Sequence, residues 1–388
     1  TEITQSIEHM KVALIHDWLT GMRGGEKCLE VLCELFPDAI LYTLLYKNGS
    51  VSEIISRMKI KTSFVQKLPL ALNHYQKYLP LFPTAIEQFN LMDYDLVISS
   101  SHCVAKGVIT RPETCHICYC YTPMRYAWEM YDVYFNHNTV GPLVRWSIPF
   151  FMNYLRSWDE KSADRVDHFI AISETVRGRI QKHYHRDAGV IYPPADVDFY
   201  ALSKNSGDYF LITSALVPYK RVDLTILAFN ELNLPLLVIG EGVEKNKLRK
   251  LARGNIRFLD WQNPPDLKKY YSECKALIFP GEEDFGIVPV EAQACGKPVI
   301  AFGKGGVTES VKGAYPNQEI TSDHTGIFFY PQTKDALMDA VHRFEPAQFD
   351  PERIRENVLR FDRKIFKEKI REFIERKLKD HQNKIIVD

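Results

Sequence analysis

The stretch FPGEEDFGIVPVEAQACGKPVIAFGKGG, residues 279–306, contains a strand, a loop, a helix and a second strand in succession. The first apolar run ends at Pro280, three acidic residues follow, and the segment from Ile287 is typical of a helix with proline in its first turn. The second apolar run is KPVIAFG (297–303). This pattern predicts neighbouring parallel strands covered by a helix, with the acidic loop at the carboxyl end of the first strand.

The same alternation of strand and helix occurs in both halves of the chain. In the first half, a strand at KVALIHDWL (11–19) and a helix at GGEKCLEVLCELF (24–36) are followed by strands at DLVISSS (95–101), HICYCY (116–121) and HFIAIS (168–173). In the second half, strands are predicted at YFLITSA (209–215), PLLVIG (235–240), IRFLD (256–260) and ALIFPG (276–281), and helices at 222–232 and 243–252. Both halves therefore have the pattern of a parallel sheet covered by helices.

A proline-rich segment separates the two halves. VIYPPADVDFY (190–200) contains Pro193 and Pro194, which disfavour helix and stiffen the chain. A length of 388 residues also favours two domains. We therefore predict an α/β fold of two Rossmann-like domains, residues 10–190 and 195–362, that face a cleft.

The C-terminal segment has the apolar spacing of a helix. FKEKIREFIERKL (366–378) places Ile370, Phe373, Ile374 and Leu378 on one stripe. This stripe should pack against one of the two domains.

The overall composition argues against several classes of protein. The 49 basic and 49 acidic residues give a net charge of +0, so there is no global case for nucleic acid. There is no apolar run long enough to span a membrane, and TEITQSIEHMK (1–11) lacks the regions of a signal peptide. We therefore expect a cytoplasmic protein.

The cluster CHICYC (115–120) raises the possibility of a zinc site, because Cys115, Cys118 and Cys120 could act as thiolate ligands. The run is typical of a buried strand, however, and a structural zinc site needs a turn between close ligands and a second ligand pair elsewhere. We expect ordinary buried thiols and no metal.

The acidic loop and the helix after it are the best candidates for a binding site. The first turn of a helix leaves backbone N–H groups without intrahelical partners, and these groups bind anions. Glu283 precedes the helix and Glu291 lies inside it, so the two carboxylates should flank a bound anion. A carboxylate can accept two hydrogen bonds from the vicinal diol of a ribose or a hexose. The alternative is a helix whose dipole is stabilised by nearby acids.

Glu283-x7-Glu291 and its surroundings resemble the retaining glycosyltransferases of family 4, which have the GT-B fold. The similarity runs from about residue 10 to about residue 375 and includes SALVPYKRVDLTILAFN (214–230), MRGGEKCLEVL (22–32), SSSHCVAKGV (99–108) and YTPMRYAWE (121–129). The most similar members are bacterial mannosyl- and glucosyltransferases of O-antigen and exopolysaccharide assembly. The resemblance also implies that the C-terminal helix, residues 363–388, packs back on the N-terminal domain.

The resemblance implies a role for each matching residue. Glu291 would bind the ribose hydroxyls, Glu283 the hydroxyls of the donor sugar, and Lys220 the diphosphate, with Glu283 and Lys220 acting in catalysis. Gly24 and Gly25 would let the backbone approach the same phosphates. The remaining expected donor-binding residues are Ser214, Phe285, Gly286, Ile287 and Val288.

Two positions depart from the family's pattern. The family usually has an arginine near Ala215, and either Arg221 substitutes for it or the site needs less charge. Tyr121 replaces a histidine that faces the donor sugar in many members. Tyr121 is therefore expected either to bind the donor through its hydroxyl group or to be a core tyrosine.

The predicted reaction needs no metal and no cofactor. We find no convincing DxD-like motif, whereas Lys220, Arg221 and the helix start can stabilise a leaving diphosphate. The resemblance implies retention at the anomeric carbon, with front-face attack and the leaving phosphate oxygen taking the acceptor's proton. The donor would be a UDP-sugar or GDP-sugar, such as UDP-glucose or GDP-mannose. The alternatives are a nucleotide-sugar epimerase of the same fold and a non-catalytic sugar-nucleotide-binding scaffold.

The acceptor is expected to be a glycan or a lipid-linked molecule. Residues 54–86 contain no Asp or Glu. They interleave basic with aromatic residues: Arg57, Lys59, Lys61, Lys67, Lys77, Phe64, Tyr75, Tyr78 and Phe82. This pattern suits either peripheral contact with a membrane or a solvated basic face. WSIPFFMNYLRSW (146–158) is expected to be a buried helix, with an interfacial helix as the alternative, and residues 260–262 are expected near the nucleotide base.

Overall fold

The structure is a computed structural model that describes residues 10–128, 142–205 and 207–387. The chain divides into two compact units: unit 1 runs to Pro193 and resumes at Lys364, and unit 2 spans Pro194–Arg363. Each unit contains a seven-stranded parallel sheet within these ranges, which confirms the predicted pair of Rossmann-like α/β domains. The segment assessed for a signal peptide, 1–11, lies outside these ranges except for its last two residues. The last residue of the motif at 121–129 also lies outside them.

The sheet of unit 1 has the order β3-β2-β1-β4-β5-β6-β7. Its strands are β1 (Val12–His16), β2 (Ile40–Thr43), β3 (Lys59–Thr62), β4 (Leu96–Ser101), β5 (Cys115–Cys120), β6 (His168–Ala171) and β7 (Ala188–Val190). The central strands β1, β4 and β5 are buried along their whole length, as is typical of parallel strands covered on both faces. His16 of β1 lies beside Ser100 of β4, so the loops after these two strands begin next to each other.

The helices of unit 1 are α1 (Gly24–Leu35), α2 (Glu53–Ser56), α3 (Ala71–His74), α4 (Phe82–Glu87), α5 (Arg125–Trp128), α6 (Pro142–Ser162) and α7 (Glu174–Tyr184). Helix α6 contains the aromatic segment predicted to be a buried helix. Met152 and Leu155 are buried, but Phe150 is 70% exposed and Tyr154 is 46% exposed, so the helix is only partly buried. Across the described ranges, every helix is either too short or too polar to cross a membrane.

The sheet of unit 2 has the order β10-β9-β8-β11-β12-β14-β13. Its strands are β8 (Phe210–Thr213), β9 (Leu236–Ile239), β10 (Ile256–Leu259), β11 (Leu277–Phe279), β12 (Val299–Phe302), β13 (Gly313–Ala314) and β14 (Gly326–Phe329). Its helices are α8 (Val222–Leu232), α9 (Lys245–Leu251), α10 (Pro264–Glu273), α11 (Ile287–Ala294), α12 (Val307–Ser310), α13 (Lys334–His342) and α14 (Pro351–Val358). Strands β2, β3, β7, β13 and β14 were not predicted.

The last helix, α15 (Arg363–Val387), packs on unit 1 through its apolar stripe. The Phe373 ring lies against Gly189 of β7 so closely that an added Cβ would come within 2.9 Å of it. The Phe366 ring meets the Tyr119 ring edge-on, with 5.6 Å between ring centres. The ion pair between Lys367 Nζ and Glu34 Oε2, at 3.3 Å, ties the helix to α1.

Candidate active site

The predicted donor-binding residues of unit 2 come from loops at the carboxyl edge of its sheet. Ser214 follows β8, and the acidic loop containing Glu283 follows β11. Helix α11 then begins at Ile287. In an open parallel sheet this edge is where ligands bind, so the fold brings these residues to a suitable place.

Two glycines after β12 hold the acidic loop in position. The N–H of Gly306 donates to the carbonyl oxygen of Glu283 at 2.8 Å. A Cβ on Gly306 would lie 2.1 Å from the carbonyl oxygen of Asp284, and Gly305 has a φ of 82° that favours glycine. Neither glycine was predicted to have a role. The sequence feature that could have indicated their role is the GKGG run at the end of a predicted strand.

Helix α11 presents its first turn to the acidic loop. Gly286 precedes the helix with a φ of 88°, and the ring of Phe285 is buried against Phe361 at 5.2 Å. The backbone N–H groups of Ile287 and Val288 lie in the first helical turn and have no intrahelical acceptor. The helix start can therefore bind an anion, as the sequence predicts.

Glu291 is buried inside α11 beside two tyrosines. It is 4% exposed, and its Oε2 accepts a hydrogen bond from the Tyr271 hydroxyl at 3.1 Å. The Tyr200 ring meets the Tyr271 ring edge-on, with 5.7 Å between ring centres. Burial first, and then the Glu291 charge, raise the pKa of both tyrosine hydroxyls well above the ordinary value. Both hydroxyls therefore stay protonated, and that of Tyr271 orients the carboxylate.

Lys220 and Glu283, the two predicted catalytic residues, are in direct contact. Lys220 Nζ forms an ion pair with Glu283 Oε1, and the side chains are 21% and 13% exposed. Gly281 makes room for this approach, because a Cβ there would lie 3.2 Å from the Lys220 Cα. The structure thus brings a cation and a carboxylate together beside the start of α11.

Arg221 has a different environment from Lys220. Its Nε contacts Asp223 Oδ1 and its Nη1 contacts Gln332 Oε1, each at 3.3 Å. Gln332 in turn donates to the carbonyl oxygen of Pro280 at 2.8 Å. The Arg221 guanidinium therefore supports the turn that precedes the acidic loop.

Ser214 lies in a loop that closely approaches a glycine-containing turn after β9. A Cβ on Gly240 would lie 1.9 Å from the Ser214 carbonyl oxygen, and one on Gly242 would lie 2.2 Å from the Leu216 carbonyl oxygen. Ser214 Oγ donates to the carbonyl oxygen of Ala215 at 3.1 Å. In the neighbouring 260–262 segment, the Trp261 side chain is 70% exposed.

In unit 1, Gly24 and Gly25 are the first residues of α1. The Tyr121 hydroxyl donates to the Gly25 carbonyl oxygen at 2.8 Å and accepts from Ser100 Oγ at 2.8 Å. Ser100 Oγ accepts in turn from His16 Nδ1 at 3.0 Å. Because the single O–H of Tyr121 is used on Gly25, Tyr121 supports the start of α1 within this unit.

Sequence reasoning missed an aspartate and a histidine at the carboxyl edge of unit 1. Asp17 follows β1, is 0% exposed, and accepts four backbone N–H groups at 2.6–3.0 Å, from His102, Cys103, Val104 and Ala105. His102 follows β4, and its Nδ1 lies 3.0 Å from Asp17 Oδ2. The available signal was that charged and polar residues follow two apolar strands at the same edge.

Lys106 lies in the motif SSSHCVAKGV (99–108), as His102 does, and it is a buried structural cation. Its Nζ lies 3.0 Å from Asp159 Oδ1 and donates to Ser162 Oγ at 2.6 Å. Asp159 Oδ2 accepts hydrogen bonds from Trp128 Nε1 and the Tyr184 hydroxyl, each at 2.8 Å. This network joins the loop after β4 to helices α5, α6 and α7, which explains much of the SSSHCVAKGV motif by packing.

The three clustered cysteines of β5 are buried and free. Burial raises the pKa of the Cys115 thiol to about 12. Among the residues that the structure describes, the one grouping with metal-ligand spacing joins Cys115 to Asp167 and His381, and it includes neither of the other two strand cysteines.

The basic segment 54–86 separates into two faces. Phe82 and Tyr75 are buried in the core of unit 1, so these aromatic residues do not form an exposed surface. The five basic residues of the segment are exposed. The exposed apolar side chains of this segment include leucines: Leu70 is 71% exposed and Leu81 is 40% exposed.

Comparison with known proteins finds a family match in the second unit. The family model "Glycosyl transferases group 1" matches residues 197–360. An uncharacterised glycosyltransferase of Methanocaldococcus jannaschii is 31% identical over 156 residues, which are 38% of this chain and 44% of that protein. The O-antigen chain mannosyltransferase RfbU of Salmonella typhimurium is 30% identical over 160 residues, 38% of this chain and 45% of that protein. The chain thus spans less than half the length of these curated relatives.

Solved structures match nearly the whole chain in fold. HepE of Anabaena, solved with UDP-glucose, has a TM-score of 0.64 at 17% identity, covering 94% of this chain and 99% of that one. Sucrose-phosphate synthase of Thermosynechococcus elongatus has a TM-score of 0.69 at 15% identity, covering 95% and 99%. These likenesses show the GT-B fold. Within that fold, residues 197–360 of unit 2 are similar to the glycosyl transferases group 1 family.

Proposed function

We propose that this protein transfers a hexose, glucose or mannose, from a nucleoside-diphosphate sugar to a glycan or lipid-linked acceptor in polysaccharide biosynthesis. The observation that carries the proposal is the carboxyl edge of unit 2. There a buried carboxylate, a lysine–glutamate pair and the open start of α11 lie on adjacent loops. RfbU, named a mannosyltransferase, and HepE, solved with UDP-glucose, support a hexose as the transferred group.

Each residue of this edge has a proposed task. Glu291, oriented by Tyr271, accepts hydrogen bonds from the ribose hydroxyls, since a carboxylate has more acceptor sites than the Tyr271 hydroxyl uses. The N–H groups at the start of α11 meet the sugar and the diphosphate. Glu283 binds the hydroxyls of the donor sugar. Ser214 lines the same site.

Lys220 stabilises the negative charge that develops on the leaving diphosphate. In the structure its partner is Glu283, so a bound diphosphate would share the lysine with that carboxylate. Fixed cations and helix-start amides make a divalent ion unnecessary in this proposal. The acceptor attacks the front face, a leaving phosphate oxygen takes its proton, and the anomeric configuration is retained.

The acceptor side belongs to unit 1 in this proposal. Gly24 and Gly25 open the start of α1 to a phosphate group. The exposed lysines and leucines of segment 54–86 suit peripheral contact with an anionic membrane at its cytoplasmic face, where a lipid-linked acceptor would be found. A nucleotide-sugar epimerase is less well supported, because the matching family and the relatives described above are glycosyltransferases.

A thermal-shift panel of UDP-, GDP- and ADP-sugars tests donor binding, because a ligand that binds the native state raises the melting temperature. We expect one nucleotide class to raise it. Glu291→Ala should chiefly weaken this binding, whereas Glu283→Ala should chiefly lower turnover. A protein that responds to no nucleotide sugar would contradict the proposal.

A further inference from the structure

The pairing of His102 with Asp17 fixes one histidine nitrogen and leaves the other available. Asp17 Oδ2 can only accept, so His102 Nδ1, at 3.0 Å, must be the donor. The His102 side chain is 29% exposed, so its second nitrogen, Nε2, is on the side that solvent can reach. Four backbone N–H groups hold the Asp17 carboxylate, which makes the pair rigid.

Aromatic side chains fix the plane of the His102 ring. The ring meets Trp18 edge-on, with 4.5 Å between centres, and lies 6.3 Å from the Tyr121 ring. Tyr121 is itself bonded to the Gly25 carbonyl oxygen at the start of α1. His102 is thus placed on the same edge as the first amides of a 12-residue helix.

Within the part of the chain that the structure describes, one buried nitrogen at this edge lacks a hydrogen-bond partner. His16 Nε2 is fully buried and, among the described residues, its nearest carboxylate oxygen is Glu26 Oε1 at 3.9 Å. His16 lies beside the helix start, since a Cβ on Gly25 would come within 3.7 Å of its Cε1. The His16 Nε2 nitrogen at this edge is therefore a polar group that the described contacts of the protein leave without a hydrogen bond.

The charges around His102 favour its protonated form. Burial alone would lower the pKa of His102, but the Asp17 charge and hydrogen bond outweigh it and raise that pKa, with a smaller contribution from Glu26. Arg23, at the start of α1, acts in the opposite direction. The remaining titratable groups that face it are His16, from β1, and Tyr121, after β5.

We propose that His102, oriented by Asp17, is a phosphate-binding residue of unit 1, with Nε2–H donating to a phosphate oxygen beside the amides of Gly24 and Gly25. The proposal rests on the function proposed above, which supplies a phosphate ligand from one of two sources. One source is the diphosphate of the donor nucleotide, and the other is the diphosphate of a lipid-linked acceptor.

The proposal fixes the sign of a pH dependence. Because the bound phosphate needs the protonated ring, affinity is present below the pKa of His102 and is lost as the pH rises through it. A histidine that acts as a general base would show the reverse, with activity lost as the pH falls. Phosphate binding therefore predicts a loss at high pH, whereas general-base catalysis predicts a loss at low pH.

The test is calorimetric titration of the whole protein with UDP and GDP in one arm and a short-chain polyprenyl diphosphate in the other. His102→Asn should weaken at least one ligand by about tenfold or more, the value of a hydrogen bond to a charged group. The arm that weakens identifies the source of the phosphate. His102→Lys, which keeps a positive charge, should restore part of the affinity. The matched control is His74→Asn, at an exposed histidine of the same unit.

The titrations are repeated from about pH 6 to about pH 9, the range in which histidine changes charge. As the pH rises, the affinity of the wild type should fall more steeply than the affinity of H102N. Any change in affinity that is caused by titration of the ligand itself affects both proteins, so H102N serves as its control. Thermal melts confirm that each variant is folded. Equal affinities and equal pH profiles for the wild type and H102N overturn the inference alone. A wild type that binds none of the ligands overturns the proposed function as well.

Discussion

The substitution Glu291→Gln tests how unit 2 binds the donor. The new side chain keeps the volume of the old one and can still accept a hydrogen bond from the Tyr271 hydroxyl, which lies 3.1 Å from Glu291 Oε2. It removes the negative charge and replaces one accepting oxygen with an NH₂ group. The fold should therefore survive, while the hydrogen bonds with the ribose diol should not.

The size of the effect follows from the hydrogen bonds that the substitution removes. Hydrogen bonds to a charged group contribute about 1.5–3 kcal/mol each, and Glu291 is 4% exposed, so water cannot replace them easily. We expect donor binding to weaken by about 2–3 kcal/mol, or about 30- to 160-fold in affinity. Tyr271→Phe, which removes only the orienting hydroxyl, should cost about 1 kcal/mol.

Calorimetry with UDP and GDP is the appropriate assay, because it separates binding from turnover. Glu319→Gln, at an exposed position of the same unit, is the matched control and should bind as the wild type does. If Glu291→Gln binds the preferred nucleotide within about twofold of the wild type, a difference of about 0.4 kcal/mol, the assignment of Glu291 to the ribose is wrong.

Three other outcomes are expected. Lys106→Met should destabilise unit 1 by about 3–5 kcal/mol in denaturant titrations, because it leaves Asp159 buried without its cation, whereas exposed Lys369→Met should change stability little. Transfer activity should persist in EDTA, and a divalent requirement restored by titration would contradict the metal-independent proposal. Replacing Lys67 and Lys77 with Ser should weaken binding to anionic liposomes by about 1 kcal/mol per residue at low salt, without changing nucleotide affinity, and unchanged liposome binding would mean a merely solvated face.

The elements with long apolar runs were predictable from the sequence. The predicted helix at 222–232 matches α8, and the predicted strand at 235–240 contains β9. Both have strong local signals, an amphipathic repeat and an uninterrupted apolar run. Strand β3, KIKT, was missed because its side chains are mostly exposed, so its position depends on pairing with β2 and not on its own composition.

The candidate site was only partly predictable, because pairings between distant loops have no local signal. Glu283 and Glu291 stand in one continuous motif, but the contact of Glu283 with Lys220 joins separate loops. Asp17 and His102 are likewise brought together by the pairing of β1 with β4. Tyr121 was expected to bind the donor sugar or to be a core tyrosine. Its hydrogen bond to Gly25 joins the segment after β5 to the start of α1, and periodicity does not encode that contact.

The most direct test of the central claim is acceptor-dependent release of nucleoside diphosphate. The protein is incubated with UDP- or GDP-hexose and a lipid-linked glycan, and both the released nucleotide and the product mass are measured. Our account predicts release coupled to a mass increase of one hexose, nearly abolished in Glu283→Gln and retained in Glu282→Gln, whose carboxylate pairs with Lys304 at 3.0 Å. Turnover of the donor without acceptor to an epimeric sugar, or an unchanged rate in Glu283→Gln, would contradict it.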